Sequence, residues 1–515
     1  MSLTDHLTQT EGKNGVFESK MREKKIPLNP FFGTKSNPII PQFNPIKATQ
    51  SIPTSIGSFL PKLADQTFIK HLLISNQSLK IQKSKRIAVL FSGGPAPGGH
   101  NVIIGLLHSL LPQHTVLGVL NGPSGLLSGK LNPLKLNEAM QYFNCGGFDY
   151  LGTSRTKLST KSQLNQVKEC VKTHQLDGIV IIGGDDSNTN AAILANELIP
   201  LNCSVIGVPK TIDGDLIYKD QLAIPFGFDT ATKVYSELTG NLMKDAQSVK
   251  KYWHFVKLMG RDTSHVTLEV ALQTKPTLTL ITEEIIKNNF ALSDIVNQVV
   301  DVIVTRYKQG IQHGVIILPE GLITHIAEEI ITVTTPYQTD PLLSKRDEHG
   351  HHQLSAIPTE ILLGRCIQNE LKNSSISFEP RYHSFGYEGR CSVPSYFDAW
   401  YGYHLGLTAG ALILANHTGY MASLMDLANG GTPIGIPLLQ LFNTNSKNDQ
   451  GDYVIQRAPV NLNSPAFNYF KSRRQQWKLN DCFTSHSPIQ WSETNTIEFP
   501  ISVALNQGYD TLKFY

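Results

Sequence analysis

Short apolar runs alternate with longer mixed stretches from residue 86 to residue 320. Arg86–Phe91, Leu176–Ile182 and Cys203–Gly207 are brief and almost continuously apolar, the pattern of strands buried on both faces of a parallel sheet. A strand near Val116–Leu120, the alternating Tyr252–Met259, and the runs Thr277–Ile281 and Gly314–Leu318 continue the series. Between them the spacing predicts helices over Val102–Leu111, Asn190–Leu198, Phe228–Ser248 and Ile295–Tyr307, with another starting across Thr263–Leu272. Strands and helices in regular alternation indicate a three-layer α/β protein. No tandem repeat with a period of about 20–50 residues is present.

The flanks read differently. Residues 1–85 carry the charged run Lys20–Lys25 and prolines from Pro27 to Pro61, which suits an extension that wraps the body or joins a subunit contact. Residues 322–357 are polar and expected to be less regular, and the His-rich 348–352 lacks helical ligand spacing and reads as a solvated loop. A helix is predicted over Thr359–Leu371 and a long, mostly buried helical region over Tyr396–Met425. From Gly430 onward, Ile434–Phe442 and Tyr453–Arg457 suggest small strands before an irregular tail.

Composition narrows the function classes. A chain of 515 residues has room for two or more domains, and a net charge of +3 without a long basic block gives no nucleic-acid or membrane patch. The six cysteines are scattered, without metal-ligand spacing, as expected of reduced thiols in a cytoplasmic protein. Neither a secretory leader pattern nor an apolar run of about 18 residues is found.

Chemistry concentrates where strands end, the edge at which α/β sheets keep their sites. The stretch Val208-Pro-Lys210-Thr211-Ile212-Asp213-Gly-Asp215 puts an ammonium, a hydroxyl and two carboxylates on one turn. Such groups suit phosphoryl transfer to an alcohol, which needs a proton acceptor and charge neutralisation, though Asp residues on a turn also serve as caps. Ser92-Gly-Gly94-Pro-Ala-Pro-Gly98 can turn backbone N–H groups toward a phosphate, or simply pack tightly; it has neither Walker nor dinucleotide spacing. Gly183-Gly-Asp185-Asp186-Ser187 can hold Mg²⁺ through Asp185, with Ser187 competent as an N-cap. Arg261 after Tyr252–Met259 is placed to grip an anion or to form an ion pair, Glu320 to accept from a sugar hydroxyl or cap a helix, and Arg155 to edge a phosphate.

In combination these strings, together with Met259-Gly260-Arg261, Pro319-Glu320-Gly321 and Gly386-Tyr387-Glu388-Gly389-Arg390, resemble the 6-phosphofructokinase family over roughly residues 85–440. Within it they are most similar to the long, diphosphate-dependent branch. The resemblance implies two three-layer α/β/α domains with the active site in the cleft between them. Residues 86–225 would bind diphosphate and Mg²⁺, rejoined by a later segment, and 226–445 fructose 6-phosphate; 1–85 and 446–515 would flank them.

It further implies reversible transfer from diphosphate to the C1 hydroxyl of fructose 6-phosphate, a glycolytic step. Asp213 would take the proton, with Thr211, Ile212, Met259, Gly260, Arg261, Glu320 and Tyr387–Arg390 around the sugar phosphate. Gly94 would meet the diphosphate and Asp185 hold Mg²⁺. Lys251 and Tyr252 would reach the sugar phosphate of a neighbouring subunit in a homodimer. Nucleotide-using relatives commonly have Gly in place of Asp186 and of Lys210. A carboxylate at 186 would repel a nucleotide α-phosphate, and the Lys210 ammonium can neutralise the transferred or leaving phosphate. The alternatives are an ATP-dependent phosphofructokinase, opposed by those two residues, and a regulatory subunit, opposed by the presence of Gly94, Asp185, Asp213 and Arg261. A lipid or NAD kinase would leave the later motifs unexplained.

Overall fold

The computed structural model describes residues 26–29, 32–34, 37–38, 43–46, 52–71, 83–333, 357–447, 451–484 and 500–508. In chain order the strands that matter are β1 (Phe43–Pro45), β2 (Ile69–His71), β3 (Arg86–Ser92), β4 (Thr115–Val119), β5 (Leu131–Pro133), β6 (Thr153–Ser154), β7 (Gly178–Gly183) and β8 (Ser204–Pro209). There follow β9 (Tyr252–Leu258), β10 (Leu278–Thr279), β11 (Gly314–Pro319), β12 (Glu379–Phe385), β13 (Tyr420–Met425), β14 (Thr432–Pro437), β15 (Phe442–Lys447) and β16 (Tyr453–Ile455).

The larger sheet has ten strands, ordered β1-β2-β14-β13-β8-β7-β3-β4-β5, with β6 paired to β3. From β13 to β4 the pairing is parallel, and the outer pairings are antiparallel. The apolar runs earn their place here: Ile87–Phe91 and Ile179–Ile182 are at most 1% exposed, each such side chain contributing roughly 1.5–3 kcal/mol by leaving water. The chain runs from β3 to β4 on one side, then returns to β7 and β8 on the other, so the order reverses beside β3. That is the crevice where open α/β sheets bind ligands.

A second, four-stranded parallel sheet runs β10-β11-β9-β12. Helix α1 (Gly99–Leu110), α2 (Asp185–Leu198), α3 (Phe228–Val249), α4 (His265–Thr274), α5 (Leu322–Val333) and α6 (Tyr396–Leu414) connect and cover the sheets. Helix α6 lies so close to α1 that a Cβ at Gly105 would collide with the Tyr403 carbonyl, and one at Gly406 with the Val102 carbonyl. Only glycine permits that approach.

Several expectations are corrected. Residues 322–357 are not all irregular, because Leu322–Val333 is helical; the remainder to 356 and the His-rich run lie outside the described residues. The helical region over Tyr396–Met425 ends at Leu414, and Tyr420–Met425 is instead a central strand of the larger sheet; a buried run of that length does not distinguish helix from strand. The tail contains a helix, α7 (Pro465–Leu479), N-capped by the Ser464 side chain. Strand β12 was missed because its exposed and half-buried positions give it no apolar run. The prolines of the N-terminal extension do not prevent Phe43–Pro45 and Ile69–His71 from pairing onto the sheet edge, where proline is tolerated.

Candidate active site

The carboxyl ends of β3, β7 and β8 adjoin, and their turns form one wall of a cleft. After β3 the chain turns at Gly93, φ 85°, a left-handed conformation that glycine adopts without strain. Thr153 Oγ1 donates to the Gly93 carbonyl at 2.7 Å and Gly93 N donates to the Ser154 carbonyl at 2.9 Å, so the glycine-rich turn is fastened to β6. Gly93 faces Lys210, whose Nζ would be 3.5 Å from an added Cβ, and a Cβ at Gly94 would overlap the Arg390 guanidinium. Two cations therefore stand over the glycines.

After β7, the helix begins earlier than the periodicity suggested: Gly184 is the N-cap and Asp185 and Asp186 occupy the first turn of α2. Ser187 is thus not the cap. Its hydroxyl donates to Ser92 Oγ at 2.7 Å and ties the two turns together. Asp185 sits where the helix dipole favours negative charge, with Arg457 Nε 2.7 Å from one carboxylate oxygen and Arg261 NH1 3.4 Å from the other. Burial opposes its ionised form, but Arg457 and then Arg261 outweigh burial and hold it below the usual carboxylate range. Asp186 is exposed.

The turn after β8 is buried as a unit: Lys210, Thr211, Ile212, Asp213 and Asp215 are all at most 8% exposed. Burial lowers the Lys210 ammonium to about 8, against the opposing pull of Asp213. Burial raises Asp213 above its ordinary value, opposed by Arg261, whose Nε is 3.4 Å away, and by Thr211, whose hydroxyl also accepts from Asp213 N at 3.1 Å. Burial and then the neighbouring Asp213 and Asp185 push Asp215 to about 7. Raised carboxylates and a lowered ammonium on one buried turn mark it as a candidate functional site.

The opposite wall comes from the smaller sheet. Arg261, just past β9, reaches both Asp185 and Asp213 and so forms ion pairs across the cleft, the second of the two roles expected of it. Glu320, just past β11, accepts from Gly260 N at 3.2 Å and Arg261 N at 3.1 Å, which fixes the turn that presents Arg261, itself at φ 51°. Met259 packs under Gly386, and Tyr235 on α3 donates to the Gly386 carbonyl at 2.5 Å and backs Gly389. Glu388 accepts from Gly386 N at 2.7 Å, while Tyr387 is 75% exposed with Arg390 5.0 Å from its ring centre.

Lys251 and Tyr252 are not brought to this cleft. They sit at the opposite end of β9 from Arg261, about 20 Å away along a seven-residue strand. There Lys251 pairs with Glu379 at 2.9 Å and Arg381 stacks 4.1 Å over the Tyr252 ring. Sequence reasoning also missed groups that the cleft does contain. Tyr235 carries no motif signal, Asp262 was passed over beside Arg261, and Arg457 lies beyond the motif region in what read as a small strand.

A divalent ion fits as a companion of a polyphosphate. Among the described residues no group of three or more His, Cys, Asp or Glu could cage a metal. A single ionised carboxylate such as Asp185 nevertheless suits Mg²⁺, which keeps waters and takes its other oxygens from substrate phosphates.

The chain is similar to several known proteins. The family model for phosphofructokinase matches residues 86–413. The chain is 40% identical over 461 residues to pyrophosphate–fructose 6-phosphate 1-phosphotransferase of Treponema pallidum (strain Nichols), covering 79% of this chain and 80% of that one. It is 38% identical over 495 residues to subunit beta 2 of the enzyme of the same name from Arabidopsis thaliana, covering 87% of this chain and 86% of that one. Among solved structures, the pyrophosphate-dependent phosphofructokinase from Marinobacter aquaeolei superimposes with a TM-score of 0.56 at 18% identity, over 79% of this chain and 95% of that one; it supports the fold.

Proposed function

The chain belongs to the phosphofructokinase family, and we propose that it moves a phosphoryl group reversibly between diphosphate and the C1 oxygen of fructose 6-phosphate. The observation that carries this reading is the buried turn that holds both Lys210, facing the glycine-rich turn, and Asp213, facing Arg261.

In the forward direction the C1 oxygen attacks the nearer diphosphate phosphorus. The new P–O bond forms as the bridging P–O bond breaks, and the hydroxyl proton passes to Asp213. Burial fits Asp213 to this role because it raises the carboxylate's affinity for a proton. Lys210 spreads positive charge over the phosphoryl in flight and the leaving phosphate, in a pocket where water does not screen it. The Gly93–Gly94 turn lets diphosphate approach the main chain, with Arg390 above it. Arg261, steadied by Glu320, exchanges its carboxylate partners for the sugar phosphate, and Met259, Gly260 and Tyr387–Arg390 shape that side. Asp185 would hold Mg²⁺, which when bound neutralises diphosphate oxygens.

Asp186, exposed at the head of α2, keeps a nucleotide's α-phosphate away, and with Lys210 it selects diphosphate over ATP. Residues 86–225, rejoined by β13 and β14, form the diphosphate side; the sugar side expected over 226–445 gives up those two strands, which pair in the larger sheet, and runs through Tyr387–Arg390. Lys251 and Tyr252, remote from their own cleft, serve the sugar phosphate of a second copy, which makes the active form a homodimer with shared sites. No helix among the described residues is long and apolar enough to cross a membrane, in keeping with a cytoplasmic enzyme. The test is an assay of the purified chain with fructose 6-phosphate and Mg²⁺, offering diphosphate or ATP. Fructose 1,6-bisphosphate is expected with diphosphate; product with ATP only, or with neither donor, rejects the reading.

A further inference from the structure

Residues 455–460 cross from one wall of the cleft to the other. Ile455 N donates to Thr189 Oγ1 on α2 at 3.0 Å, and Ala458 N donates to the Asp215 carbonyl at 2.7 Å, both on the larger-sheet side. His265 Nε2, on α4, then donates to the Ala458 carbonyl at 2.8 Å, and Val460 N donates to Glu283 Oε1 at 2.9 Å. At the middle of this strap the Arg457 guanidinium divides its donors between the walls. Its Nε donates to Asp185 at 2.7 Å and its NH1 to Asp262, beside Arg261, at 3.0 Å. Asp215 Oδ2 is 4.0 Å from Arg457 Nε, is buried and makes no hydrogen bond among the described residues.

We propose that Arg457 is a positioning residue for phosphoryl transfer: it fixes the Asp185 carboxylate on the diphosphate wall and links it, through Asp262, to the turn that carries Arg261 on the sugar wall. This rests on the assignment of Asp185 to the diphosphate and its divalent ion. The geometry asks for arginine. One planar fork reaches two carboxylates in different directions, whereas a lysine has a single ammonium to place and can satisfy one of them. The Asp185 arm is the stronger, because that carboxylate is 11% exposed at its side chain whereas Asp262 is 60% exposed and well screened. The arrangement also gives the segment after residue 445 a role in the chemistry, although it lies outside the region that carries the motifs.

The test compares wild type, Arg457→Met and Arg457→Lys in two measurements. One is Mn²⁺ binding followed by electron paramagnetic resonance in the presence of methylenediphosphonate, which cannot be turned over. The other is steady-state kinetics with diphosphate. Arg457→Met is expected to weaken Mn²⁺–diphosphonate binding about tenfold or more and to lower kcat by a similar factor, with a smaller change in the KM of fructose 6-phosphate. Arg457→Lys is expected to fall between the two. Wild-type Mn²⁺ binding in Arg457→Met overturns the proposal, even if that variant melts lower, since a purely structural strap would lower stability alone. Should Arg457→Met fail to fold, wild-type binding and kcat in Arg457→Lys overturn it equally. The binding measurement needs no turnover, so a chain inactive with diphosphate would sink the proposed reaction while the titration still judged Arg457.

Discussion

The two walls of the cleft are built to different standards. On the larger-sheet wall, Asp185, Lys210, Asp213 and Asp215 are 8% exposed or less and held by neighbours on adjacent turns. On the smaller-sheet wall, Arg261 has 47% of its side chain exposed and Tyr387 is 75% exposed. On our reading the buried wall holds the groups that meet developing charge, where preorganisation in a dry environment yields the most, and the open wall holds groups that must admit and release a sugar phosphate. Two further cations, Lys251 and Arg381, lie at the far end of the same sheet. One wall is ready before the ligand arrives; the other is completed by the ligand and, on our reading, by a second subunit.

The sharpest way to break this contrast is Asp213→Asn, which keeps shape and hydrogen bonding but cannot accept the proton. Its kcat is expected to fall by roughly 10²–10⁴-fold while the KM of fructose 6-phosphate changes little. Steady-state kinetics in both directions check this. A kcat within tenfold of wild type would mean that the buried wall does not supply the base.

The contrast also explains what the chain made legible in advance. Strands β3, β7, β8 and β11 could be read because burial on both faces leaves a continuous apolar signature, and their turns could be read because glycines and carboxylates there have few structural substitutes. Strand β12 could not, since none of its positions is fully buried and it carries no apolar run. Tyr420–Met425 looked helical because it follows a helix without a proline and is nearly all buried. Arg457 was invisible for a different reason. Its importance comes from a strap folding back over residues some 195 to 272 positions earlier, and a lone arginine after a short strand has no local pattern that says so.

A smaller effect tests the open wall. Lys251→Ala is expected to raise the KM of fructose 6-phosphate about tenfold, the worth of one charged hydrogen bond, with kcat nearly unchanged. Mixing it with Asp213→Asn under conditions that exchange subunits, and assaying with fructose 6-phosphate well below the raised KM, should restore activity above the sum of the two. Each hybrid dimer would contain one site with an intact Asp213 and an intact Lys251 from the opposite chain. Additive activity in the exchanged mixture would confine Lys251 to its own subunit and leave its distance from the cleft without a functional account.

The smallest expected effect probes the cost of the buried wall itself. Lys210 is lowered from its usual 10.5 to about 8, first by burial and against the pull of Asp213. Below about pH 8 the folded chain carries a desolvated ammonium that the unfolded chain would solvate, so Lys210 opposes folding there. Between about 8 and 10.5 the unfolded chain binds the extra proton, and this group's contribution to stability improves as pH rises. Lys210→Met should therefore melt higher than wild type at pH 7, with the gap closing toward pH 10. The same ammonium gives wild-type kcat/KM for diphosphate a falling limb near pH 8, because that parameter reports the free enzyme. Lys210→Arg, which keeps its proton, should lose that limb. A variant that is both more stable and far less active at pH 7 would show that the wall is kept charged for catalysis at the expense of stability. Equal melting temperatures across the range would show instead that the charge at Lys210 is solvated or paired well enough to carry no such penalty.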